Sequence, residues 1–142
     1  MASGVDGVIV PDLPLEEANT LLGEAGPAGL GTVFLASPAT PDERLDRIAA
    51  ASSGFLYLVS MYGVTGARDK LPDYTLQLVA RVKKRTAGKV PLAVGFGVGR
   101  KEQVRDLARA GADAVVVGSA IVDRIAKGAS ADEVGAFVAG LR

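Results

Sequence analysis

The sequence predicts an α/β fold built on a parallel sheet. Five short apolar runs punctuate the chain: Gly7–Val10, Thr32–Ala36, Phe55–Val59, Pro91–Val94 and Ala114–Val117. They are continuous rather than alternating, and most of their residues are β-branched or aromatic, the pattern of strands buried on both faces. Helical periodicity fills the intervals between them. Glycines gather directly behind the third, fourth and fifth runs.

The elements follow in order. After Gly7–Val10, residues 15–25 place Leu15, Ala18, Leu21, Leu22 and Ala25 on one helical face, with Gly26-Pro27 as the stop. After Thr32–Ala36, Thr40-Pro-Asp-Glu43 reads as a capping box with Pro at the first helical position, opening a helix over 41–51. After Phe55–Val59, residues 73–86 carry Leu76, Val79, Ala80 and Val82. Lys83, Lys84 and Arg85 stand in the last turn, where the helix dipole favours cations, and Gly88 follows. After Pro91–Val94, residues 101–110 repeat the pattern with Val104, Leu107 and Ala108, ending at Gly111. After Ala114–Val117 comes a short helix over about 119–126. Ser130-Ala-Asp-Glu133, a second capping box, then opens a terminal helix. The result is five β-α units, a period that implies a parallel sheet with right-handed crossovers.

Composition narrows the chemistry. The 142 residues are 49 % hydrophobic and 23 % charged, the balance of one globular domain spanning 1–142. Lys+Arg and Asp+Glu both number 16, so no bulk charge recruits nucleic acid or a membrane surface. With no Cys and no His, Cys- or His-based nucleophilic, general-base and metal chemistry is excluded; proton transfer would use Asp, Glu, Lys or Tyr. No apolar stretch approaches the roughly 20 residues that span a bilayer, and no signal-peptide pattern opens the chain. The expected location is the cytoplasm, and no metal site is expected.

Two architectures fit alternating β and α: an open doubly wound sheet, or part of a (β/α)8 barrel. A complete barrel takes about 250 residues, so in the second case this chain is a piece of one. In both, function sits at the carboxyl ends of the strands. There the sequence offers Ser60-Met-Tyr-Gly63-Val-Thr-Gly66, then Gly95-Phe-Gly97-Val-Gly99, then Gly118-Ser119 before a helix. Glycine lets backbone N–H groups approach a phosphate, and a helix starting at Ser119 would point its dipole at one. Glycine loops behind the last two strands plus a short extra helix make the phosphate cup of many barrels. A dinucleotide fold would instead carry its glycines in the first turn, which here reads Pro11-Asp-Leu-Pro14.

Val10-Pro-Asp-Leu-Pro-Leu-Glu-Glu17, Ser60-x-x-Gly-Val-Thr-Gly66, Gly95-Phe-Gly97 and Gly118-Ser-Ala-Ile-Val122 together resemble the tryptophan synthase α subunit family, in that family's order and spacing. The resemblance covers nearly the whole chain and implies a partial (β/α)8 TIM barrel. Its five β-α units would be equivalent to strands 4–8, with a short extra phosphate-binding helix after the last strand. It implies a lyase: retro-aldol cleavage of indole-3-glycerol phosphate to indole and glyceraldehyde 3-phosphate. It also implies a pyridoxal-phosphate-dependent β subunit as partner, and no cofactor or metal in the α subunit itself. By this resemblance Gly66, Gly95, Gly97, Gly118 and Ser119 bind the substrate phosphate. Tyr57 stands beside the substrate, Thr65 belongs to the loop that closes over the site, and Phe96 lines the indole pocket. Asp12 lies near the face that meets the β subunit. The family's catalytic Glu and Asp lie on and just after its second strand, which has no counterpart here. The isolated chain is therefore expected to be inactive.

The sequence also departs from the family. Met61 and Tyr62 are large where small or polar residues are usual, and Gly99 stands where a Ser or Thr helix cap is usual. Read without the resemblance, Asp12 is a turn residue, Tyr57 a core residue, and Arg100-Lys101 a solvated helix start. The alternatives to a lyase chain are a non-catalytic half-barrel that holds phosphate esters, and another phosphate-binding barrel such as one for flavin mononucleotide. A five-unit piece of a closed barrel leaves two open sheet edges, so self-association is expected.

Overall fold

The computed structural model describes residues 4–59, 71–95 and 97–142. The strands are β1 (Gly7–Ile9), β2 (Gly31–Ala36), β3 (Leu56–Val59), β4 (Leu92–Gly95) and β5 (Ala114–Val115). They form one parallel sheet in the order β1-β2-β3-β4-β5. The helices are α1 (Asn19–Ala25), α2 (Asp42–Ala51), α3 (Asp73–Thr86), α4 (Lys101–Ala110), α5 (Ser119–Ala126) and α6 (Ala131–Gly140). None is long and apolar enough to cross a membrane.

The strand order decides between the two architectures. A doubly wound sheet reverses its order at a switch point and carries helices on both faces. Here the order never reverses. The core cluster joins Phe34, Leu56, Leu58, Leu92 and Val94 of the strands to Leu45, Ile48, Val79, Val82 and Leu107 of the helices. In β3, Leu56 and Leu58 point to that layer and are buried, while Tyr57 and Val59 point to the opposite face and are half-buried. Helices on one face of a monotonic parallel sheet are an arc of a (β/α)8 barrel.

Most elements lie where periodicity places them, with informative exceptions. The first helical stretch begins as a 3-10 turn, Leu15–Glu17, before α1. It holds its angle through a bidentate ion pair from Arg44 of α2 to Glu16, at 2.6 and 2.8 Å. The Thr40 capping box does not form. Pro41 is the N-cap of α2, and Thr40 Oγ1 instead accepts a hydrogen bond from Ser37 N–H at 2.9 Å, closing the loop out of β2. The Ser130 box does form: Glu133 N–H donates to Ser130 Oγ, and Ser130 N–H donates to the Glu133 carboxylate. At the end of α3 the left-handed position falls on Ala87 (φ 49°), with Gly88 after it. The last strand is shorter than its apolar run, Ala114–Val115 against Ala114–Val117.

Candidate functional site

The site is built where β3, β4 and β5 end. These strands are adjacent and parallel, so their exit loops leave the same rim side by side, roughly 4.8 Å apart per strand.

Tyr57 sits on β3 opposite Ala93, and its side chain points to the sheet face away from the helices. Its ring lies directly over Gly95. A Cβ placed on Gly95 would come within 2.6 Å of Tyr57 Oη and 2.8 Å of its Cε2. Gly95 is therefore glycine because Tyr57 occupies the space a side chain would need. Burial pushes the Tyr57 hydroxyl above its usual pKa, so at neutral pH it is an uncharged hydrogen-bonding group.

Beyond Gly95 the chain turns through Gly97, whose φ of 68° lies in the left-handed region that favours glycine. Val98 then plugs into the core, fully buried. The loop is closed by a side chain that sequence reasoning missed. Gln103, nearly buried on α4, accepts from Gly99 N–H at 2.9 Å and from Arg100 N–H at 3.1 Å through Oε1. Arg100, not Gly99, is the N-cap residue of α4. The signal was legible: Gln three residues into a helix is the returning arm of a capping box.

Behind β5, Gly118 is the N-cap residue of α5 and Ser119 its first residue. Gly118 C=O accepts the first helical bonds, from Ile121 N–H at 2.9 Å and Val122 N–H at 3.1 Å. No side chain caps this end, and no acidic residue stands in the first turn. A Cβ on Gly118 would meet none of the described residues within 4 Å. The positive end of α5 thus faces the rim where the neighbouring strand β4 leads into the Gly97 turn, an arrangement suited to an anion. Arg124, one turn further on, is turned to other work: its guanidinium stacks 3.4 Å from the Phe137 ring centroid and bonds Ala120 C=O, tying α5 to α6.

The structure thus brings Tyr57, Gly95, Gly97, Gly118 and Ser119 to one rim. Asp12 is not among them. It occupies an exposed turn after β1, closed by Leu13 N–H to Val10 C=O, three strands from β4 and so roughly 14 Å away along the sheet. It borders a separate hollow of about 330 Å³ with Pro11, Thr40 and Arg44. Gly66, Thr65 and Phe96 lie outside the described residues. Among the described residues, no cluster of three or more acidic side chains could hold a metal.

A family model for the tryptophan synthase alpha chain matches residues 1–138. The tryptophan synthase alpha chain of Thermococcus kodakarensis is 56 % identical over 126 residues, which are 89 % of this chain and 49 % of the relative. That of Pyrococcus abyssi is 52 % identical over 132 residues, 92 % of this chain and 52 % of the relative. Among solved structures, a mutant tryptophan synthase alpha-subunit from Pyrococcus furiosus superposes with a TM-score of 0.87 at 42 % identity. It covers 99 % of this chain and 56 % of that one. The alpha-subunit fold also recurs in a structure of the P. furiosus α2β2 complex, with a TM-score of 0.84 at 45 % identity over 99 % of this chain and 55 % of the other. The chain spans about half the length of the curated relatives it matches.

Proposed function

The chain belongs to the tryptophan synthase alpha chain family, and from that premise we propose that it is the phosphate-binding part of a cytoplasmic lyase of tryptophan biosynthesis. Its 142 residues form one incomplete barrel domain that holds the phosphate of indole-3-glycerol phosphate. One observation carries the reading. The left-handed turn at Gly97 and the uncapped, acid-free N-terminus of α5 behind Gly118 stand side by side at the carboxyl rim.

In this reading the phosphate accepts hydrogen bonds from main-chain N–H groups of the Gly95–Gly97 turn and of Gly118 and Ser119. Ser119 Oγ adds a further donor, and Gly66 completes the cup. The α5 dipole favours the dianion without any lysine in contact. Gln103 keeps the turn in place by binding the two N–H groups that follow it. Tyr57, uncharged and packed over Gly95, forms the wall beside the glycerol chain, Phe96 contributes to the indole pocket, and Thr65 lies in the covering loop. Asp12, on the far turn, belongs to the face that meets a β subunit rather than to the chemistry.

Retro-aldol cleavage needs a general acid and a general base within hydrogen-bond reach of the reacting carbon and hydroxyl. No described carboxylate stands at the rim with Tyr57 and Gly118, and such groups typically contribute 10²–10⁴-fold in rate. The chain by itself binds the phosphate ester and does not turn it over. An amide-resolved NMR titration with glycerol 3-phosphate tests this. Shifts confined to Gly66, Gly95–Gly97 and Gly118–Ser119 are expected; dispersed signals that ignore the ligand refute the cup. Release of indole from indole-3-glycerol phosphate by the isolated chain refutes the assignment of inactivity.

A further inference from the structure

Arg124 of α5 holds its charge away from the end of the helix that favours cations. Its side chain folds back along the helix, and Nη1 donates to Ala120 C=O at 2.9 Å. Ala120 is the second residue of α5. The guanidinium therefore lies beside the helix, roughly 5 Å along the axis from the N–H groups that face the rim. Helices favour cations at their carboxyl ends and anions at their amino ends, so this placement gains from an anion at the rim.

Both groups that hold the guanidinium are uncharged. One is Ala120 C=O; the other is the Phe137 ring of α6, whose centroid lies 3.4 Å from the guanidinium carbon. Cations on other helices are matched by acids: Arg44 bonds Glu16, Lys83 bonds Asp113 and Arg85 bonds Asp46. The acid beside Arg124 in sequence, Asp123, is taken by Lys127 at 2.7 Å. Among the described residues no carboxylate forms an ion pair with Arg124. The side chain is half-buried, so water screens its charge incompletely.

The corner between α5 and α6 keeps the group in place. Ala129 N–H donates to Arg124 C=O at 3.0 Å. The chain turns through Gly128 at a φ of 88°, and the Ser130–Glu133 box opens α6 directly behind it. Phe137 is thereby fixed against the face of α5 that carries Arg124.

Resting on the reading of the α5 N-terminus as a phosphate site, we propose that Arg124 is a positioning residue of that site and its remote counter-ion. It touches no phosphate oxygen. The distance along the helix plus one hydrogen-bond length puts its charge about 10 Å from the anion, within a Debye length at about 0.1 M salt. Arginine keeps that charge at every working pH. The charge adds to the α5 dipole in favour of a phosphate dianion, and the Phe137 stack stops the side chain from swinging into solvent.

Isothermal titration calorimetry of the 142-residue chain with glycerol 3-phosphate, in about 10 mM and about 1 M sodium chloride, tests this. Arg124→Met is expected to bind at least about fourfold more weakly than wild type at the low salt, the effect of one unit charge on a dianion across about 10 Å of water. At the high salt the two should agree within about twofold, because the charge is screened. Arg124→Lys keeps the charge and should stay within about twofold of wild type at both salts. Arg124→Gln serves should the methionine variant fail to fold, judged by far-ultraviolet circular dichroism. Equal affinity of wild type and a folded neutral variant at the low salt overturns the proposal. A loss of equal size at both salts, shared by Arg124→Lys, overturns it too and assigns Arg124 to packing alone. A wild-type chain that does not bind glycerol 3-phosphate at the low salt refutes the phosphate reading itself, and this inference with it.

Discussion

Replacing Gly95 with alanine turns the contact between Tyr57 and the end of β4 into a measurable energy. The new methyl group would stand 2.6 Å from Tyr57 Oη, 2.8 Å from Cε2 and 3.1 Å from Cζ. Real Cβ atoms do not approach that closely, so the ring must leave its place over the rim. Overpacking of this kind costs about 1–3 kcal/mol. Gly95 has no left-handed φ, so alanine is otherwise favourable there, by up to roughly 0.5–1 kcal/mol at this last strand position. The net expectation for Gly95→Ala is destabilisation by up to about 2.5 kcal/mol. In a Tyr57→Ala background the obstacle is gone, and the same change should stabilise by roughly 0.5–1 kcal/mol. The sign reversal is the test, read by urea unfolding of the four members of the double-mutant cycle. Gly95→Ala that stabilises as much with Tyr57 present as in the Tyr57→Ala background would show that Gly95 is not held by the ring.

Other consequences follow from the same geometry. Leu107, fully buried beneath α4, should cost about 2–5 kcal/mol when cut to alanine, seen as a lower midpoint in thermal unfolding. Ser130→Ala removes the oxygen that accepts Glu133 N–H. It should weaken α6 by about 1 kcal/mol, and faster amide exchange in its first turn, with β3 unaffected, is the readout. Asp113 accepts from Lys83 Nζ at 2.6 Å and from Leu92 N–H at 2.8 Å, and these bonds hold its carboxyl below the usual pKa. A depressed folded-state pKa stabilises the fold above the unfolded-state value and is lost as pH falls through the folded one. Acid unfolding of wild type should therefore be steeper below about pH 4 than that of Asp113→Asn; parallel acid limbs would count against the link.

Much of the fold was legible in one dimension because its signals are local. Helices α3 and α4 begin and end at the residues the periodicity named, 73–86 and 101–110, since both have a strong apolar stripe and breakers close behind. The Ser130 box works as read because both partners are three residues apart and compete with nothing. The Thr40 box has the same spacing but failed, because Ser37 N–H in the preceding turn captures the Thr40 oxygen first. The glycines of the candidate site were visible as glycines behind strands. Gln103 is equally visible, but the N-cap residue whose N–H it binds is an arginine rather than the serine or threonine of the usual capping box.

What the sequence determined alone is the alternation of strand and helix, the glycine rim, the absence of His and Cys chemistry, and a family likeness carried by short motifs. These depend on neighbours a few residues away. Periodicity did not reach sheet order, because a continuous apolar run says that a strand is buried and not which strand lies beside it; only the family likeness implied the consecutive order of a barrel. The tertiary structure decided that the order runs from β1 to β5 without reversal, which makes the sheet an arc of a barrel with helices on one face. It also decided why Gly95 has no side chain: the reason is a tyrosine 38 residues away, brought over it by the pairing of β3 with β4.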